Sequence, residues 1–101
     1  MEYRVFEVDT DKNDCVQNAK CTLDNGFEYS VISFHKSRML VVVDYRLDKT
    51  EPVGIITNLP LITLEQVEGI VLKIIHLYKT HQIISITSTL DEFYSTFSKV
   101  A

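Results

Sequence analysis

The sequence predicts an α+β fold: an antiparallel β-meander of four to five strands with two amphipathic helices packed on one face, in the order ββββ(β)αβα. Three observations predict it. Residues 19–24 and 27–31 alternate apolar with polar side chains at the two-residue period of a half-buried strand, and residues 39–47 keep apolar side chains at the odd positions. Residues 64–80 repeat apolar side chains at the three- and four-residue steps of a helix. Sparse turn-forming residues (Gly26, Pro52, Gly54, Pro60) divide a β-rich first half from a helix-rich second half. With 101 residues, 46% of them hydrophobic, the chain has the length of one domain and enough apolar surface for a core.

The first strand is read at residues 3–8, rich in β-branched and aromatic types, and residues 9–18 as a polar, acidic loop. Then Ala19, Cys21 and Leu23 alternate with Lys20, Thr22 and Asp24. An Asn25-Gly26 two-residue hairpin would set Leu23 against Glu28 and mix apolar with charged side chains. A three-residue loop, Asp24-Asn25-Gly26, with Gly26 left-handed, pairs Ala19 with Val31, Cys21 with Tyr29 and Leu23 with Phe27. Because a one-residue slip moves every side chain to the other face, this register is preferred.

The same pattern argument makes Lys36-Ser37-Arg38 the next loop. His35 then pairs with Met39, Val31 with Val43, Tyr29 with Tyr45 and Phe27 with Leu47, while Glu28 and Arg46 form a cross-strand ion pair. This register opposes Ile32 to Val42 and Phe34 to Leu40 on the second sheet face. A short strand follows at residues 53–57.

Thr63 and Gln66 have the spacing of a capping box. They start a helix to about Thr80 whose stripe is Leu64, Val67, Ile70, Val71, Ile74, Leu77, Tyr78 and His81. Gly69 within it is read as a close approach to a strand. Residues 83–87 are a further short strand. Ser88 or Thr89 caps the last helix, with Asp91 and Glu92 in its first turn and Leu90, Phe93, Tyr94, Phe97 and Val100 as its stripe.

The chemistry-bearing residues form no strong constellation. Asp9, Asp11 and Asn13 begin like a calcium loop, but the sixth position is Asp14 where glycine is required, and the twelfth is Lys20 where a bidentate glutamate is required. Cys15 and Cys21 lack a second ligand pair at zinc spacing among His35, His76 and His81. The three glycines are too dispersed for a phosphate loop, and no nucleophile elbow is present. No catalytic, cofactor-binding or metal-ligating residue is assigned, and the chain is not expected to be an enzyme.

Net charge is −4, and the basic residues are scattered, which argues against nucleic acid as a partner. The chain is charged from Glu2 and shows no secretory h-region. Its longest apolar-rich stretch, Ile70–Tyr78, is far short of the ~20 residues of a membrane span. With its two cysteines, a cytoplasmic protein is expected.

The expected function is therefore protein binding of the regulator, inhibitor or adaptor type, with a homodimer through the second sheet face as one form of it. The interface residues named by the register are Ile32, Phe34, Leu40 and Val42, an apolar group for which the sequence offers no definite cover. Residues 1–14 and 53–62 are the segments that could fold over it. A runner-up reading is nucleic-acid binding at the basic tip, His35, Lys36 and Arg38. A third is catalysis or small-molecule binding between sheet and helices.

Overall fold

A computed structural model describes residues 5–24, 26–46, 52–81 and 86–100. Its strands are β1 (Phe6–Thr10), β2 (Val16–Thr22), β3 (Phe27–Phe34), β4 (Ser37–Asp44), β5 (Pro52–Thr57) and β6 (Ile86–Thr89), and its helices α1 (Leu64–His81) and α2 (Leu90–Val100). The strands join in sequence order into one six-stranded sheet. The first five form an antiparallel meander, and β6 lies parallel to β5. A parallel neighbour cannot be reached by a hairpin, so α1 serves as the crossover. The α+β class, the element order and the single helix-covered face are those the sequence predicts; the sheet has one strand more than expected. Leu47 and the parts of the expected strands at residues 3–4 and 83–85 lie outside the described residues.

Pairing follows the predicted register at the first turn and departs from it at the second. Ala19 pairs with Val31 and Cys21 with Tyr29, and Leu23 N–H donates to the Phe27 carbonyl at 2.7 Å. Gly26 has φ +90°, the left-handed conformation that the three-residue loop demands. An added Cβ there would also strike the aliphatic stem of Arg46.

Between β3 and β4 the loop is His35-Lys36, not Lys36-Ser37-Arg38. Both residues have positive φ, 49° and 64°, as a type I′ hairpin requires. Phe34 therefore pairs with Ser37, Ile32 with Met39, Val31 with Leu40 and Tyr29 with Val42. The expected pairs His35–Met39, Val31–Val43 and Tyr29–Tyr45 do not form, and Phe27 lies opposite Asp44. The cause is in the sequence of β4. Met39 to Val43 is an unbroken apolar run, so alternation cannot say which face is inward, and turn geometry decides. The difference of three residues is odd and exchanges the two faces of β4.

One rung across the sheet shows the covered side: Val8, Ala19, Val31, Leu40, Ile56 and Ser88. Ala19, Val31, Leu40 and Ile56 are buried, together with Phe27, Tyr29 and Val42. They share one core with Val67, Ile70, Val71, Ile74, Ile75 and Leu77 of α1 and Phe93 of α2. The α1 stripe from Leu64 to Tyr78 thus faces inward as the periodicity predicts, and in α2 Leu90, Phe93 and Phe97 do so, whereas Tyr94 is 42% exposed; the side chains of His81 and Val100 lie outside the described ones.

Gly69 does not mark a close approach: an added Cβ would meet nothing within 4 Å. The close approach is at Gly54 in β5, where an added Cβ would lie 2.6 Å from Ile74 Cγ2.

Both helices start with a capping box. Thr63 N–H donates to Gln66 Oε1 at 2.9 Å and Gln66 N–H to Thr63 Oγ1 at 3.3 Å; Thr89 and Glu92 repeat the exchange at 2.9 and 3.3 Å. The segment read as loop, residues 9–18, is shorter than expected, since β1 reaches Thr10 and β2 starts at Val16. Val16 N–H donates to the Ile62 carbonyl at 2.8 Å, tying this corner to the approach to α1.

Candidate functional site: the uncovered sheet face

The rung beside the one just described points the other way. It runs Glu7, Lys20, Ser30, Val41, Ile55, Thr87 across β1 to β6. The next rung on this face pairs Asp9 with Asn18, Ile32 with Met39 and Thr57 with Thr89. The face has two chemically different halves. Across β1 and β2 it is charged and polar: Glu7, Asp9, Asn18 and Lys20, all exposed. Across β3 to β5 it carries Ile32, Phe34, Met39, Val41, Val43 and Ile55, and on β6 only threonines.

Among the described residues no element covers Ile32 or Phe34, which are 42% and 63% exposed. Residues 59–62 do not fold over them; Leu59 is buried in the helix-side core and Ile62 packs against it. Met39, Val41, Val43 and Ile55 beside them are partly exposed, and contiguous apolar patches of ~300–600 Å² on a monomer are often functional.

The four residues assigned to this surface from sequence divide. Ile32 and Phe34 lie on the uncovered face. Leu40 and Val42 do not: both are 0% exposed beneath the helices, because the His35-Lys36 turn reverses the faces of β4. Their places are taken by Met39, Val41 and Val43, with Ile55 beside them. The signal for these residues was the apolar run 39–43 itself, which reads as a strand apolar on both faces.

The basic tip is also divided. His35 and Lys36 form the exposed turn, with the His35 ring edge-on to Phe34 at 4.2 Å. Arg38 turns to the helix-covered side. It donates from Nε to the Leu59 carbonyl at 3.3 Å and from Nη1 to the Gln17 carbonyl at 3.5 Å, and Leu59 N–H returns a bond to the Arg38 carbonyl at 2.8 Å. It holds the chain after β5 against β2, so the structure does not gather His35, Lys36 and Arg38 at one surface.

Nor does the expected ion pair of Glu28 with Arg46 form. Glu28 lies opposite Val43 and accepts from Thr22 Oγ1 at 3.4 Å. Arg46 instead donates from Nε and Nη2 to the two carboxylate oxygens of Asp44, each at 3.0 Å. This bond, with those from the Arg46 N–H and the Tyr78 hydroxyl, holds the 3%-exposed Asp44 carboxyl below the ordinary carboxylate value against the opposing effect of burial. The Arg46 guanidinium and the Lys79 ammonium lie 4.8 and 5.5 Å from the Phe27 ring centroid, and Tyr78 meets that ring edge-on at 5.8 Å. These contacts close one end of the core.

Other polar groups are likewise structural. Tyr29 is 1% exposed and donates from its hydroxyl to Glu68 Oε2 at 3.1 Å. Burial, then the Glu68 charge, pushes its pKa far above the ordinary phenol value. Asp11 accepts from the N–H groups of Asn13 and Cys15 at 2.8 and 3.0 Å, an Asx turn that uses the carboxylate to shape its own loop. No cluster of three or more metal-ligating side chains occurs among the described residues. A groove of about 320 Å³ between the helices is lined by Ile62, Gln66, Gly69, Ile70, Lys73, Leu90 and Tyr94. No helix among the described residues is long and apolar enough to cross a membrane.

Compared with known proteins, the chain matches no protein family, no curated protein and no solved structure.

Proposed function

We propose that this chain is a cytoplasmic protein-binding domain without catalytic activity, and that it acts by associating with a second copy of itself through the uncovered sheet face. One observation carries the reading: the band Ile32, Phe34, Met39, Val41, Val43 and Ile55 lies across three adjacent strands on the side away from both helices. Helices already cover the opposite face, and no element among the described residues covers this band. A second sheet is the natural complement, since sheets stack face to face about 10 Å apart with interdigitating side chains.

The area is sufficient. Five strands at ~4.8 Å spacing and about six residues at ~3.3 Å give a plane of roughly 24 by 20 Å on each copy. Pleating raises its accessible area above that projection, so two copies together bury the ~1,000 Å² or more that a specific interface needs. Neither Cys15 nor Cys21 is in a disulfide, which fits a reducing compartment.

The edge of β1 is one competing route to self-association, and its charges oppose it. Antiparallel pairing of two β1 strands about Val8 would set Glu7 directly against Asp9 of the other copy, twice over. Like charges at opposed positions destabilise a ladder.

The test is light scattering coupled to gel filtration, run on the native chain and on Val41→Glu. The native chain is expected at twice its 11.6 kDa mass and the variant at the single-chain mass with an unchanged circular dichroism spectrum. A native chain that stays at single-chain mass at tens of micromolar refutes the reading.

A further inference from the structure

Resting on that reading, we infer that the partner copy is related by a two-fold axis running parallel to the strands along β4, so that β3 stacks on β5, and β2 on β6, of the other copy. Two simple axes in the interface plane bring the uncovered faces together with β4 over β4. The charge pattern chooses between them. An axis perpendicular to the strands would lay each strand on its own copy. With Val41 on that axis, Glu7 of β1 would lie directly on Glu7 of the other copy, with Asp9 two residues further along each strand and only Lys20 and its copy near them. Removing charges from water without partners costs far more than the apolar band returns.

An axis parallel to the strands reverses the strand order of the second sheet. Then β1 falls outside the five-strand overlap, and its carboxylates stay in water. Lys20 and Asn18 on β2 meet Thr87 and Thr89 of the other β6, whose hydroxyls can accept from the ammonium and exchange hydrogen bonds with the amide. Ser30 lies over Ile55 of the other copy, and Val41 over Val41 on the axis. Glu28 stands near one end of the overlap, still bonded to Thr22. The uneven division of this face, charged over β1–β2 and uncharged over β4–β6, is what such an axis requires. Of the charged half only β2 then meets the partner, on its uncharged β6, and β1 stays outside the overlap.

A short bismaleimide distinguishes the arrangements. All variants are made on Cys15→Ser, which leaves the buried Cys21 as the one native thiol. Copies carrying Lys20→Cys are mixed with copies carrying Thr87→Cys, both at exposed positions where folding is undisturbed. The inferred axis predicts a covalent dimer as the main product in the mixture and none from either variant alone. In this arrangement two copies of position 20 are offset laterally by roughly 19 Å, four strand spacings. Ser30→Cys with Ile55→Cys gives the same result one strand further in.

Val41→Cys reports the stacking itself, because it lies on either axis. If Val41→Cys cross-links and Lys20→Cys links to itself rather than to Thr87→Cys, the axis is overturned while self-association stands. If Val41→Cys gives no dimer and the native chain has single-chain mass, both fall.

Discussion

Gly54 and Gly69 invite the same substitution and should respond with opposite sign. At Gly54 a methyl group would lie 2.6 Å from Ile74 Cγ2 and 3.3 Å from its Cδ1. Ile74 is fully buried in a packed helix, so it cannot rotate away without disturbing Val42, Ile56 and the other side chains of that core. Overpacking of this kind costs about 1–3 kcal/mol. Against the middle of that range, the ~0.5–1 kcal/mol of backbone entropy returned by replacing a strand glycine leaves Gly54→Ala destabilised by about 1 kcal/mol. At Gly69 the methyl meets nothing, and helix propensity alone favours alanine by ~0.8–1.0 kcal/mol.

Urea unfolding of both variants measures the difference, expected at about 1.5–3 kcal/mol, or several degrees in melting temperature for a chain this size. Ile74→Ala removes the obstructing methyl. The double variant Gly54→Ala/Ile74→Ala should therefore be more stable than the sum of the two single losses, by at least 0.5 kcal/mol. Gly54→Ala matching the native stability, or additive losses in the double variant, would show that α1 does not pack on β5 at this point. A destabilised Gly69→Ala would show that α1 is turned about its axis.

Two further predictions concern the ends of the core. Asp44→Asn breaks the paired bonds to Arg46 and should cost about 1–3 kcal/mol at pH 7. Because the folded-state pKa of Asp44 lies below its unfolded value, its stabilisation is present above about pH 4 and is lost as the pH falls through the folded value. The gap between native and variant chains, measured by urea titration at several pH values, should narrow below about pH 4; a gap that widens there contradicts the assignment. A thiol-reactive chromophore under native conditions should modify the half-buried Cys15 first and the 5%-exposed Cys21 only at the rate of opening. Two equally fast thiols would place Cys21 outside the core.

Where local chemistry and hydrophobic pattern agree, the sequence is readable. Thr63 and Gln66 are seen three apart before an amphipathic run, and the structure makes both of their reciprocal bonds. Asp24-Asn25-Gly26 is readable because only one register keeps Ala19, Cys21 and Leu23 facing Val31, Tyr29 and Phe27. The β3–β4 turn fails the same method for a definite reason. Its two positive-φ residues are histidine and lysine, neither a usual type I′ residue, and β4 is apolar on both faces. Pattern then has nothing to choose between, and choosing Met39, Val41 and Val43 as the inward set reverses the strand. Asp44 is the residue that resists the correct choice, since the true register buries a carboxylate. Arg46 makes that burial tolerable through a pair two residues apart, which pairing arguments across strands do not consider. An apolar second face was therefore legible, but of its six residues only Ile32 and Phe34 were.

The most direct measurement of the central claim is the equilibrium mass of the native chain by sedimentation at micromolar concentration, beside Ile32→Asp, whose side chain is already 42% exposed. Association through the uncovered face predicts a native mass of twice 11.6 kDa and a single-chain mass for the variant at equal fold stability. A native chain sedimenting at 11.6 kDa, or a variant that keeps the doubled mass, contradicts it.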